Sequence, residues 1–433
     1  MKFISSRWLP ITLVAVVCGV SIVAWWHHQT TDDQAVEAPV KPPRIPLSAL
    51  SPAPVWSLLD IYQESISRER FQQLVEEIYV TGDGWKEWLE IQEDAAVILT
   101  GLPSPKDRYV LKFSEQAPRS APRFWRTADE LPPTTADRPL QDLHIAIDPG
   151  HIGGDWAKVE ERWFIVGDGK PVMEGNMTLD VALLMKPRLE ALGANVSLIR
   201  EKNEPLTLLR PADLLENNVA TAPNPSGMSP QKLAERLFYR TAEIHARAQK
   251  VNNEMRPDLV LCLHFNAEAW GDPNHPRLID RTHFHILLHG AYSSDETKLL
   301  DQRHRMVQKL LSGSHDEELR VGSTLAREFA RTSGLPAYQY PPLSFAVREI
   351  KGEPFLWARN LLANRLFDCP VLYIEPYVMN STIDYARIQA GDYDGLREVS
   401  GKMQPSIFRE YADGLVQGLK LHYLHARKLK TIP

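Results

Sequence analysis

Cysteine is nearly absent: Cys18, Cys262 and Cys369 are the only three in 433 residues. Three thiols make no disulfide framework, and without a CxxC pair a cysteine-built zinc site is excluded. Cys18 falls in an apolar N-terminal run. Cys262 and Cys369 sit in β-like apolar stretches, where a small buried thiol is the expected reading. Excess positive charge is missing as well. Asp and Glu (55) outnumber Lys and Arg (49), giving a formal net charge of −6, so nucleic acid is not an expected partner. There is no internal repeat. A hydrophobic share of 43% with 24% charged residues is that of a folded protein, and the length suits two domains or one with inserts.

What is present begins at the N-terminus. Lys2 and Arg7 precede an apolar run from Leu9 to Trp26, and Asp32 and Asp33 follow it. At about 1.5 Å per residue the run just spans a hydrocarbon core, with Trp25 and Trp26 at its far end where aromatic rings favour the interface. The expectation is a signal anchor over 1–29 with the rest outside the cytosol, in the periplasm of a Gram-negative cell. The alternative is secretion after signal-peptide cleavage near 35–38. Residues 30–53 are proline-rich and read as a tether.

Beyond the tether, residues 54–130 read as a small α+β unit, with helical spacing at 56–62 and 71–79 and strand-like segments at 88–91 and 96–99. A proline-rich joint at 131–139 leads into a main domain over 140–433. There, apolar runs at 144–148, 195–199, 259–263, 282–288 and 370–374 alternate with helical patterns. Those patterns fall at 177–192, with Pro187 as a kink or break, and at 231–254, 296–311, 318–332, 355–366 and 406–424. The alternation predicts an α/β fold: an open, mostly parallel twisted sheet flanked by helices.

In such sheets ligand sites form at the carboxyl ends of strands. Three predicted strands run out at Asp148-Pro-Gly-His151, at His264-Phe-Asn266 and at Glu375, and Glu174 lies in a loop just before a helix. Two histidines and a carboxylate with a position left open is a catalytic zinc arrangement. Spacing alone does not select them from 14 histidines. His283 and His285 also share a strand face and offer a cleft lining or a second metal site, against a plain reading as a face without ligands. Asp392-Tyr-Asp-Gly395 reads as a turn rather than a calcium loop, and the Arg-rich 236–247 helix as a solvated face.

A resemblance makes the selection. Segments 145–154, 174–182, 189–200, 258–267 and 371–375, with the closing 407–419, resemble in order the zinc-dependent N-acetylmuramoyl-L-alanine amidases of bacterial cell walls, the amidase type 3 family. The resemblance implies a zinc amidase (phosphorylase/hydrolase-like) fold, and one Zn2+ held by His151, Glu174 and His264. It makes Glu375 the catalytic general base and acid. Zinc would polarise the scissile carbonyl and supply hydroxide near neutral pH, while Glu375 would pass the proton to the departing amine. Asn266, Arg240 and Asp148 follow as weaker supporting or substrate-facing groups. The implied substrate is the peptidoglycan amide between N-acetylmuramic acid and L-alanine. The alternatives are another zinc amidohydrolase or peptidase, or an inactive peptidoglycan-binding or regulatory protein.

The sequence departs from the family in several places. Ile152 stands where the family has Gly, and the stretch to Glu174 is long and holds Glu160 and Glu161 as rival ligands. The spacing from Glu375 to Asn380 differs by one residue, and segments 201–230 and 270–350 are inserts. A regulatory protein acting through 290–350 and the membrane at the N-terminal helix complete the expected partners.

Overall fold

Short, mostly apolar runs supply the central sheet of seven strands in the computed structural model, the edge strand Arg348–Glu349 excepted. In chain order they are β1 (His144–Pro149), β2 (Asn195–Leu198), β3 (Leu259–Leu263), β4 (Phe284–His289), β5 (Arg348–Glu349), β6 (Leu356–Arg359) and β7 (Val371–Pro376). The structure describes residues 46–101, 106–116, 118–216, 227–341, 344 and 347–429. The expected membrane helix, and the tether up to residue 45, lie outside them. Among the described residues no helix is long and apolar enough to cross a membrane.

The sheet order is β5-β6-β4-β7-β3-β1-β2. The β7/β3, β3/β1, β1/β2 and β6/β4 pairs are parallel, whereas β4/β7 and β5/β6 are antiparallel. The sheet is therefore mostly parallel, as expected, but carries an antiparallel seam. The seam matters for the site. It brings the amino end of β4, with His283 and His285, to the edge where β1, β3 and β7 finish.

Helices cover both faces, which is why β3 is buried along its whole length. On one face lie α1 (Glu174–Ala191), α3 (Ser314–Ser333) and α4 (Ile407–Ala426). Their Met185, Leu325 and Leu415 share a core with Ile147, Leu261 and Ile374 of the strands. On the other face Val251 and Phe367 pack with Val260 and Val371. In the 54–130 region, Trp56, Phe71 and Leu111 pack with Met306, Val307 and Leu310 of α2 (Leu300–Ser312), so that core is completed by a helix from the 270–350 insert. From Ile45 onward the chain is one compact unit.

Some local expectations change. Helix α1 starts at Glu174, not near Met177, with no side-chain cap at Met173. Two polar residues of its first two turns bond to the 150–154 turn: Asn176 Oδ1 accepts the Gly154 N–H (2.7 Å) and the Thr178 hydroxyl donates to the Gly150 carbonyl (2.7 Å). Pro187 neither splits the helix nor ends it. It forfeits the bond to the Leu183 carbonyl, on a turn where Leu183 is exposed. The 355–366 helix is instead strand β6 followed by Leu362–Leu366, because pairing with β4 buries Leu356, Trp357 and Ala358. Cys262 and Cys369 are buried and free, and Asp392 and Asp394 are tied down by Arg409.

Candidate metal centre

Register assembles the site. Leu263 pairs with Ile374 and Glu375 with His285, so one residue beyond β3, His264 stands level with Glu375, and Glu375 level with His285. Pro149 pairs with Leu263, which sets Gly150 beside His264 and His151 just past it. Only glycine fits at 150: a Cβ there would stand 2.3 Å from His264 Cε1 and 2.5 Å from the Leu263 carbonyl. His151 then adopts a left-handed backbone (φ 59°), a strain of about 1–2 kcal/mol for a side-chain-bearing residue.

The strained turn is held from both sides. Arg247, fully buried, donates to the His151 carbonyl (2.7 Å) and the Pro149 carbonyl (3.0 Å), and pairs with Asp148 and Glu243 (2.8 Å each). Arg200, also buried, donates to the Pro149 carbonyl (2.9 Å). Burial and the neighbouring Arg247 charge push Arg200 down to about 9. On the outer side the Glu160 carboxylate accepts the N–H groups of Ile152 (2.9 Å) and Gly153 (3.0 Å). The reading of 236–247 as a solvated face is thus corrected at Arg247. Its charge is matched at i−4 by Glu243 and across the fold by Asp148, a pairing invisible to a helix-face argument.

His151, Glu174 and His264 converge. Glu174 Oε2 lies 3.1 Å from His151 Nε2 and Oε1 lies 3.0 Å from His264 Nδ1. One ligand atom from each of the three lies within 4.8 Å of the others. A tetrahedron with zinc–ligand bonds of about 2.0–2.1 Å has edges of roughly 3.3 Å, so the donor set fits that ion. His151 Nδ1 faces Glu160 at 3.5 Å, the kind of carboxylate contact that orients a metal-binding imidazole. Burial opposes a charge on His151, but Glu174 and Glu160 outweigh it and push its pKa up to about 9. Burial likewise works against a charged Glu174, yet the two histidines hold its carboxyl well below the usual range. Burial keeps His264 below its ordinary value. Of the rival carboxylates, Glu160 supports the 151–153 turn, and Glu161 is occupied by Tyr239 (3.0 Å), Arg236 (3.1 Å) and Lys232 (3.2 Å).

Glu375 stands one strand away, half-buried. Burial, reinforced by the Glu174 charge, raises it to about 7, against the pull of Arg359 and Arg162. Its neighbour Tyr373 stacks on His264 with ring centroids 4.1 Å apart. Arg162 escaped the sequence reading: its Nε lies 3.2 Å from Glu174 Oε2, and it sits in the long stretch beside the two rival carboxylates. The weaker candidates fall outside the cluster. Asp148 is paired with Arg247. Asn266 accepts the Ala267 N–H (2.7 Å) and its backbone is bonded to Pro376 and Met379. Arg240 is half-exposed and 3.6 Å from Glu161. His283 and His285 form a separate pair beside Tyr338 and Tyr340.

A family model described as N-acetylmuramoyl-L-alanine amidase matches residues 145–394. No curated protein sequence matches the chain. Among solved structures, the amidase Ami1 from Mycobacterium smegmatis is 17% identical, with a TM-score of 0.36 over 66% of this chain and 99% of that one. An N-acetylmuramoyl-L-alanine amidase from Clostridium difficile 630 is 14% identical, with a TM-score of 0.36 over 66% and 98%. AmiC2 of Nostoc punctiforme is 13% identical, with a TM-score of 0.32 over 65% and 97%.

Proposed function

The chain belongs to the N-acetylmuramoyl-L-alanine amidase family, and from that premise we propose that it hydrolyses the peptidoglycan amide between N-acetylmuramic acid and L-alanine as a one-zinc enzyme. His151, Glu174 and His264 would hold the ion and Glu375 would move the proton. The observation that carries this reading is the convergence of two histidines and a carboxylate within 4.8 Å, with Glu375 on the adjoining strand. An ion held there would supply Lewis-acid polarisation of the scissile carbonyl and a lowered pKa for water near neutral pH. Glu375 stands off the donor set and is raised to about 7, so it can take a proton from water and release it to the leaving amine at the same pH. Glu160 and Arg247 keep His151 in its strained place, and Tyr373 fixes the His264 ring from its stacked face.

The same reading puts the catalytic unit outside the cytosol, anchored through 1–29, since the apolar run at 9–26 is long enough to span a bilayer and peptidoglycan lies beyond it. The test is metal analysis of the purified protein together with digestion of sacculi. One zinc per chain and free stem peptides beginning at L-alanine are expected. Glu375→Gln should keep the zinc and lose activity by about 10²–10⁴-fold. Different new termini would redirect the specificity, and no products with no zinc would refute the enzyme reading.

A further inference from the structure

Beyond Glu375, on the side away from the metal ligands, the same sheet face carries groups that no step above uses. His285 is the cross-strand partner of Glu375. Its Nε2 meets the Tyr340 hydroxyl at 3.1 Å, and Tyr340 packs edge-on to Trp357 with centroids 4.9 Å apart. Arg359 follows Trp357 by two on β6 and so shares its face. Its backbone pairs with His289, at the other end of β4, but its side chain turns back to hydrogen-bond Tyr340, and from there its charge reaches His285 and Glu375. Arg359 is half-buried, and among the described residues no carboxylate stands within ion-pair distance of it. A half-buried guanidinium bonded to a phenol, with Glu375 acting on it only from beyond ion-pair distance, is a carboxylate receptor in waiting.

We propose that Arg359 and Tyr340 form a subsite for a carboxylate on the peptide side of the scissile amide, resting on the amidase reading above. The direction follows from the proton path. Glu375 delivers its proton to the departing amine, so the peptide leaves past Glu375, and the face beyond it is the one holding Arg359. An anionic peptide would be repelled by ionised Glu375, and the guanidinium cancels that repulsion. His285 acts as a positioning residue. In its Nε2–H tautomer it donates to the Tyr340 oxygen, leaves only a lone pair unpaired at its buried Nδ1, and frees the phenol hydrogen for the ligand.

The test uses the full-length, zinc-loaded protein in detergent with two probes, N-acetylmuramoyl-L-alanyl-D-glutamate with a free α-carboxylate and the same compound as its α-carboxamide. Wild type should favour the carboxylate at least about tenfold in kcat/KM, mostly through KM, the size of a charge-assisted hydrogen bond. Arg359→Gln should bring the ratio of the two substrates to within about twofold, and Arg359→Lys should restore part of it. Tyr340→Phe should give an intermediate ratio. A wild type with no preference, or a ratio unchanged in Arg359→Gln, overturns the subsite. If wild type carrying one zinc cleaves neither probe nor sacculi, the amidase reading fails first, an outcome distinct from loss of preference.

Discussion

Two pairs of histidines sit at one edge of the central sheet and behave as opposites. His151 and His264 lie with ring centroids 5.1 Å apart and Glu174 between them. His283 and His285 lie 6.4 Å apart under Tyr338, and the nearest acid to the former, Glu268, is 3.8 Å away. Carboxylates raise His151 to about 9, whereas burial pushes His283 down to about 4 and His285 to about 3. Burial is common to both pairs, so it does not make a metal site. What sets the proposed metal site apart is a carboxylate shared between converging nitrogens, whereas the second pair is an aromatic-packed wall.

The comparison can be broken most sharply by deleting one ring from each pair. His264→Ala should lose the zinc and reduce sacculus digestion to background, while His285→Ala should retain one zinc per chain. Equal zinc loss in both would erase the distinction. A smaller effect probes the orienting carboxylate. Glu160→Gln should weaken zinc affinity about 10–100-fold in a competition titration with a chelator, with Glu174 still in place. The smallest concerns acid. His283 titrates near 4 in the fold against 6.5 when unperturbed, so between those values the unfolded chain binds more protons and stability falls as pH drops. His283→Gln should spare roughly 1–2 kcal/mol of the loss between pH 7 and pH 5 in denaturant titrations, an upper-end figure for one group.

Much of this was legible beforehand because strand ends announce themselves. Apolar runs that stop at His151, His264 and Glu375 locate the site edge without any tertiary information. Strand direction was not legible. The apolar pattern of β4 reads alike both ways, and only the seam with β7 brings His285 to Glu375. Charged residues misled for a related reason. Arg247 looked like solvated helix surface, since its partner Asp148 is 99 residues away. Glu174 reads as loop because the helical pattern begins only at 177, while Asn176 and Thr178 of the first two turns bond to the 150–154 turn.

Ile152, the residue after the first proposed ligand, is fully buried in a socket made by Leu214, Ala234, Phe238 and Tyr239. Burying such a side chain stabilises by about 2–3 kcal/mol, comparable to the strain at His151. The socket takes Leu214 from the 201–230 insert and Ala234, Phe238 and Tyr239 from the helix that follows it. Excising 211–239 would leave Ile152 facing water and remove its hold on the turn. The helix after the 201–230 insert, joined by Leu214 from the insert itself, is therefore a mooring for the 150–154 turn, and attempts to miniaturise this amidase should trim elsewhere first.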